Sequence, residues 1–399
     1  MHLKTNFLLL LISASILSIL SPLLPDKTNA LIQKNPNNLK TFIDDSINPT
    51  CEILNNSELD KSLISFNQIE IKIPKSREWS KNLITAKISN GVNVITDRYK
   101  KKFNAFVLVK NSDNEICKLR ARVRLSGDAK DHITFVRNDI AASLDVRLQE
   151  GSINGIVRFK LFLPETRNNY SELITVALLQ QMGYLAPRTR LIDTTINGSK
   201  IKMIMQEKAS KEMLENNYLR ESAIIGSDES LMWRLRAKDI TKSFNSLLHP
   251  RIINFNWYRK SFVNREIALK GLKILSRAIQ ESWNGSDGNI DNTFSDLLLA
   301  NGNPVRKNFL SKFRAHLLAI GGEHALANHN RRFYYDAFNE HLLPIYYDGN
   351  VLIDHKRPSY FEEKFRSNIQ GKNLSLLREL TIDDISESII ELSNIKLNE

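Results

Sequence analysis

Between Gly321 and Asn350 the sequence GGEHALANHNRRFYYDAFNEHLLPIYYDGN gathers side chains suited to holding a hard cation. A polar cluster (His324, Asn328, His329, Asn330, Arg331, Arg332) precedes an aromatic strand-like piece, Phe333 to Tyr335. An apolar run from Leu342 to Tyr347 then delivers Asp348 into a tight turn, Asp348-Gly349-Asn350. Asp and Asn supply oxygen ligands of the kind Mg²⁺ takes, and a buried strand fixes the carboxylate in place. The same letters also describe an ordinary hairpin, because Asp-Gly is a common hairpin turn. Zinc is disfavoured: His324 and His329 lack the i, i+4 spacing of a zinc helix, and no cysteine lies near.

Such a site needs a scaffold, and the chain is long enough to supply one. Its 399 residues can bury a large core, and 42% hydrophobic with 25% charged residues is an ordinary globular composition. The net charge of +12 favours anionic partners such as phosphates, acidic glycans or anionic lipid. No basic-aromatic module, zinc-finger spacing or helix-turn-helix points to nucleic acid. Lys4, the apolar run Phe7 to Leu20 and the small residue ending Thr28-Asn29-Ala30 read as an export signal over residues 1–30. Left uncleaved, that run would act as an anchor; Pro22 and Pro25, which break it, favour cleavage. No second long apolar run follows. In an exported chain the two cysteines, Cys51 and Cys117, are expected to pair.

Residues 31–68 read as a polar, Asn-rich spacer. Alternation then predicts strands over Ile69–Ile73, Phe103–Lys110, Cys117–Leu125, Ala142–Leu148 and Ile156–Leu163, a mostly antiparallel sheet. Arg120, Arg122 and Arg124 share one face of their strand and call for an anion or solvent. A helix capped by Asn169 or Ser171 runs to Gly183, and a hairpin follows, Leu191–Ile196 and Ile201–Gln206, turned at Asn197-Gly198. After Ala223 the pattern is predominantly helical, with long helices from Asn264 and from Pro304. Asp287-Gly288-Asn289-Ile290-Asp291 begins like a calcium loop, but Asn292 replaces the turn Gly and Leu298 the closing Glu. Walker A, G-x-G-x-x-G and G-x-S-x-G signatures are absent.

Three stretches in order resemble the spore-coat protein kinase family (CotH-like). They are Arg122-Val-Arg-Leu-Ser-Gly127-Asp128, the passage from Tyr170 to Glu207 with Pro187-Arg188 and Asn197-Gly198, and His329-Asn330 with Pro344-Ile-Tyr-Tyr-Asp348. The resemblance spans roughly residues 117–355. It implies an α+β, two-lobed, atypical protein-kinase-like fold, with a β-rich N-lobe over 69–206, a helical C-lobe over 207–355 and a helical tail over 356–399. It also implies ATP and Mg²⁺ as cofactors. By residue match, Glu207 falls near the adenine, Asn330 and Asp348 hold the metal, and Arg147 or Lys160 supplies the phosphate-binding cation. Ala325 stands where related kinases carry a catalytic Asp, which leaves Glu323 and His324 as the nearest candidates for a base. Asn350 replaces the second acid of the family's Trp-Asp-x-Asp element, and Tyr347 its Trp. The implied activity is phosphoryl transfer to an anionic protein or polysaccharide at the cell envelope. The alternative is a kinase-like module that binds an anionic envelope polysaccharide without catalysis.

Overall fold

The computed structural model describes residues 68–89, 92–110, 116–136, 139–240, 249–284, 294–353 and 380–395. The export signal, the spacer up to residue 67, Cys51, the calcium-like loop and residues 354–379 of the tail lie outside the described residues. Strand and helical segments mix along the chain, so the class is α+β.

The first half is a barrel. Its strands are β1 (Gln68–Lys72), β2 (Phe103–Lys110) and β3 (Ile116–Leu125), with helix α1 (Ser76–Ile88) between the first two. A small hairpin, β4 (Ile133–Val136) and β5 (Asp139–Ala142), interrupts before β6 (Leu144–Leu148) and β7 (Arg158–Phe162). Helix α2 (Tyr170–Gln181) then leads to β8 (Thr189–Ile196) and β9 (Ser199–Glu207). The sequence predicted an antiparallel sheet; the structure closes it, in the order β1-β2-β3-β6-β7-β9-β8. Closure comes from a parallel pairing of β1 with β8, Ile69 opposite Thr194 and Ile71 opposite Ile196. Closing the ring removes two sheet edges that would otherwise expose unpaired backbone groups. Alternation decides which face goes in: Ile69, Ile71, Leu119, Val123, Val146, Phe159, Leu161, Met203 and Met205 fill the barrel and are almost wholly buried. Each fully buried aliphatic or aromatic side chain contributes about 1.5–3 kcal/mol. The outer face of β3, β6 and β7 therefore receives the charged residues.

The second half begins with α3 (Lys211–Asn216), β10 (Ile224–Asp228), α4 (Ser230–Arg236), β11 (His249–Ile252) and α5 (Phe255–Tyr258). It continues with α6 (Phe262–Asn284), α7 (Asp296–Leu299), α8 (Pro304–Ala319), α9 (Glu323–Leu326), β12 (Arg332–Asp336), β13 (His341–Ile345) and α10 (Ile382–Ser393). The predominantly helical expectation after Ala223 missed two strands. β10 and β11 join β12 and β13 in a four-stranded antiparallel sheet ordered β11-β10-β12-β13. Both strands are short, and neither runs long enough to show alternation. The two long helices stand as expected, α6 packing Ala268, Leu275 and Ala278 against Phe333 and Tyr335 of β12. Among the described residues no helix is long and apolar enough to cross a membrane.

Two contacts seat the halves together. Leu185, just past α2, forms a parallel bridge to Ile345 at the end of β13. The amide of Tyr346 donates to the Leu185 carbonyl at 2.8 Å. The residues that follow, Tyr347 and Asp348, are thereby brought against the outer face of the barrel.

Candidate functional site

A cavity of about 800 Å³ lies between the barrel and the helical half, within the range of small-molecule sites. Its barrel wall is one rung of the sheet, Arg124 on β3, Asp145 on β6, Lys160 on β7 and Gln206 on β9, which are successive cross-strand partners. The opposite wall comes from α4, Arg251 of β11, Arg332 of β12 and Tyr346–Tyr347. Basic side chains lining it outnumber acidic ones, eight to five, which favours an anionic occupant.

Within that wall the ion pairs are specific. Asp145 accepts from Arg124 through Nε and Nη2 at 3.0 and 2.7 Å, and from Lys208 Nζ at 3.1 and 3.2 Å. Burial pushes the Asp145 carboxyl up, but Lys208, Arg124 and Lys160 together hold it below its usual value. Among the described residues Lys160 has no carboxylate within ion-pairing distance; its Nζ donates to the Tyr347 hydroxyl at 3.3 Å. The Tyr347 ring also lies under the Arg332 guanidinium at 4.6 Å. One loop roofs the rung. Gly127, between β3 and β4, has φ +95, and a Cβ there would meet the His132 ring at 2.0 Å, so only glycine fits. His132 is in turn held by Ser143 Oγ at 2.9 Å from Nδ1.

Asp348 follows β13 in the left-handed region, φ +53, which Asp and Asn tolerate better than most residues. Tyr346 locks the turn: its hydroxyl donates to Glu172 of α2 at 2.8 Å and accepts from the Gly349 amide at 3.2 Å. Burial raises the Asp348 carboxyl, and Arg167, His324, Lys160 and His132 outweigh that and hold it below its usual value. The nearest of these is Arg167, from the 3-10 turn Pro164–Arg167, whose Nη1 lies 3.2 Å from Asp348 Oδ1. Burial works against the Arg167 charge, and the carboxylates of Asp348 and Glu172 more than offset it.

The structure sorts the sequence candidates. Lys160 lines the cavity and acts electrostatically on Asp348, whereas Arg147 is exposed on the next rung and does not line it. Glu207 lines the cavity, but its carboxylate is taken by Arg188, through Nε and Nη2 at 2.8 Å each. Its amide is taken too, donating to the Arg188 carbonyl at 2.9 Å. Asn330 is buried and donates through Nδ2 to the His324 carbonyl at 3.0 Å, which pins the loop. His324 is exposed; its ring sits edge-on to His329, centroids 5.8 Å apart. Glu323 opens the single-turn α9. Asn350 turns away, its Oδ1 accepting from Asn168 at 3.0 Å. Cys117 is buried on β3 and disulfide-bonded.

Four residues that matter here carried no sequence signal: Arg167, Glu172, His132 and Asp145. Each comes from a different element of the first half, and the docking of the second half sets Asp348 against Arg167 and Tyr346 against Glu172. Of the Arg120, Arg122 and Arg124 face, two members are paired, Arg120 to Glu150 and Arg124 to Asp145, both at 2.7 Å.

As for a metal, no group of three or more His, Cys, Asp or Glu suited to one occurs among the described residues. The sequence candidates offer one carboxylate, Asp348, and one amide oxygen, that of Asn330. That is too few for a resident ion but suits Mg²⁺, which commonly takes one or two carboxylates and completes its shell with substrate phosphates and water. Compared with known proteins, the chain matches no family model and no curated protein.

Proposed function

We propose that this protein is a CotH-type, kinase-like phosphotransferase with the barrel as N-lobe and the helical half as C-lobe, its nucleotide seated in the interlobe cavity. The observation that carries this reading is the meeting of Lys160 from the barrel with Tyr347 from the helical half at the cavity wall, where Lys160 also acts electrostatically on Asp348, the next residue along. Phosphoryl transfer is mainly positioning plus neutralisation of phosphate charge, and that junction supplies a cation from one side and a carboxylate from the other. Lys160 binds and orients the phosphate chain, Arg124 and Lys208 add positive charge beside it, and the Ser126–Asp128 loop covers it. Asp348 and Asn330 would hold Mg²⁺ arriving with the nucleotide, which neutralises phosphate charge. For that, Arg167 must release Asp348; the two share a single contact at 3.2 Å.

A second reading is favoured by that same contact. Arg167 already supplies Asp348 with the positive charge a metal would bring, and Ala325 leaves the loop without the family's Asp base. On this reading the cavity binds a phosphorylated or otherwise anionic ligand without metal and without transfer. Titration calorimetry of ATP, with and without Mg²⁺, on wild type and Asp348→Asn separates the two. Phosphotransfer requires Mg²⁺-dependent affinity that Asp348→Asn loses. Equal affinity in both, independent of Mg²⁺, establishes the second reading and overturns the first.

A further inference from the structure

One rung beyond the cavity wall, Arg122 on β3, Arg147 on β6 and Arg158 on β7 stand directly opposite one another as cross-strand partners. Neighbouring strands are about 5 Å apart, so three guanidinium side chains leave the sheet in one row. The charges on either side of them are paired, Arg120 with Glu150 and Arg124 with Asp145. Among the described residues these three have no carboxylate within ion-pairing distance and no side-chain hydrogen bond. Arg122 and Arg147 are exposed and Arg158 is half-buried. Burial and the charge of Arg147 both push the Arg158 guanidinium down, while Glu212 and Asp145 support it from further off. Like charges directly opposite on a sheet are destabilising. A row held against its own repulsion is best explained by a ligand.

We propose, resting on the phosphotransfer reading of the adjoining cavity, that this arginine row is the docking site for an acidic peptide segment of a protein substrate. Guanidinium groups pair with carboxylates through two parallel hydrogen bonds, so a run of Asp or Glu matches the row. The cavity rung lies two residues along each strand, about 7 Å away, so a segment anchored on the arginines reaches the cavity mouth within a few residues. Two other polyanions fit less well. The outer face of these strands at both rungs carries Arg, Asp and Lys but no aromatic platform, which disfavours sugar rings and nucleic-acid bases. Glu150 beside the row and Glu212 near Arg158 oppose a densely charged chain such as polyphosphate.

The test is fluorescence anisotropy of a labelled peptide alternating Glu and Ser, titrated with the full-length protein at low salt. Arg122→Gln combined with Arg147→Gln should weaken binding by about tenfold or more, since each loses a charge-assisted hydrogen bond. Arg147→Gln alone should melt about 1–2 °C higher than wild type, because it relieves like-charge repulsion. Equal affinity in the double variant and wild type overturns the proposal, as does tighter binding of polygalacturonate or polyphosphate than of peptide. Stabilisation of the same wild-type preparation by MgATP reports on the cavity independently. A protein that MgATP stabilises but that ignores the peptide loses the docking row and keeps the cleft reading.

Discussion

Two Arg–Asp pairs are buried in this protein, and they differ in access to solvent. Arg314 and Asp296 are both fully buried in the helical half, 2.8 Å apart, with the Ser311 hydroxyl donating to the same carboxylate. A second cation, Arg331, lies near them and is flanked by the rings of Phe294 and Phe333, each about 5.1 Å away. Arg167 and Asp348, by contrast, are 9% and 20% exposed beside the interlobe cavity. Lys160, His132 and His324 add positive influence on that one carboxylate. Surplus positive charge sealed in a core is met by aromatic faces and stays put. The same surplus beside an opening is available to an anion from outside. One pair belongs to the core; the other borders the candidate site.

The comparison is broken most forcefully in the core. Asp296→Asn removes the carboxylate that pairs with Arg314 and acts on Arg331 in the core, and loss of one partner of a buried pair costs about 3–5 kcal/mol. Urea denaturation should show that loss. Asp348→Asn should cost less, about 1–3 kcal/mol, because Glu172 still faces Arg167 and Asn suits the left-handed turn. If the two variants lose equal stability, the distinction between the pairs is wrong.

A smaller effect sharpens it through pH. Burial, with His324, Arg236 and Arg332, lowers His329 to about 4, and burial with Arg167 does the same to His132. The folded protein resists protonation that the unfolded chain accepts near 6.5, so stability falls as pH drops from 6.5 towards 4. Each such histidine contributes at most about 1.4 kcal/mol per pH unit in that window. The depressed Asp348 adds its own loss only lower, as pH falls through its folded value. His329→Gln should make the slope of unfolding free energy against pH shallower between 6.5 and 4.

The sequence shows the strands of the barrel well, because apolar and charged residues alternate through Ile69–Ile73, Phe103–Lys110 and Cys117–Leu125. Barrel closure was not legible: it depends on residues 68–71 meeting residues 193–196, and no local pattern encodes that pairing. Helix α1 went unnoticed, for Trp79, Leu83 and Ala86 form only a narrow apolar stripe among charged residues. Among the site candidates, Asp348 stands out in the sequence as an acid following a hydrophobic strand, and Asn330 through the resemblance, by its place after His329. Arg167 was not, since an arginine in a Pro-Glu-Thr-Arg turn looks like any exposed loop cation. Its burial is a product of the halves closing over it. Glu207 was legible as the end of β9, but nothing local foretold that Arg188 occupies its carboxylate.

The most direct measurement of the central claim is thermal stabilisation by inorganic triphosphate with Mg²⁺, compared between wild type and Lys160→Met. Triphosphate lacks a base and a sugar, so it reports on the proposed phosphate site at Lys160 and Asp348 alone. Stabilisation of the wild type that grows with Mg²⁺ and is lost in Lys160→Met is the predicted result. No stabilisation of a folded wild type at millimolar triphosphate, or equal stabilisation of both proteins, would contradict a phosphate site at that junction.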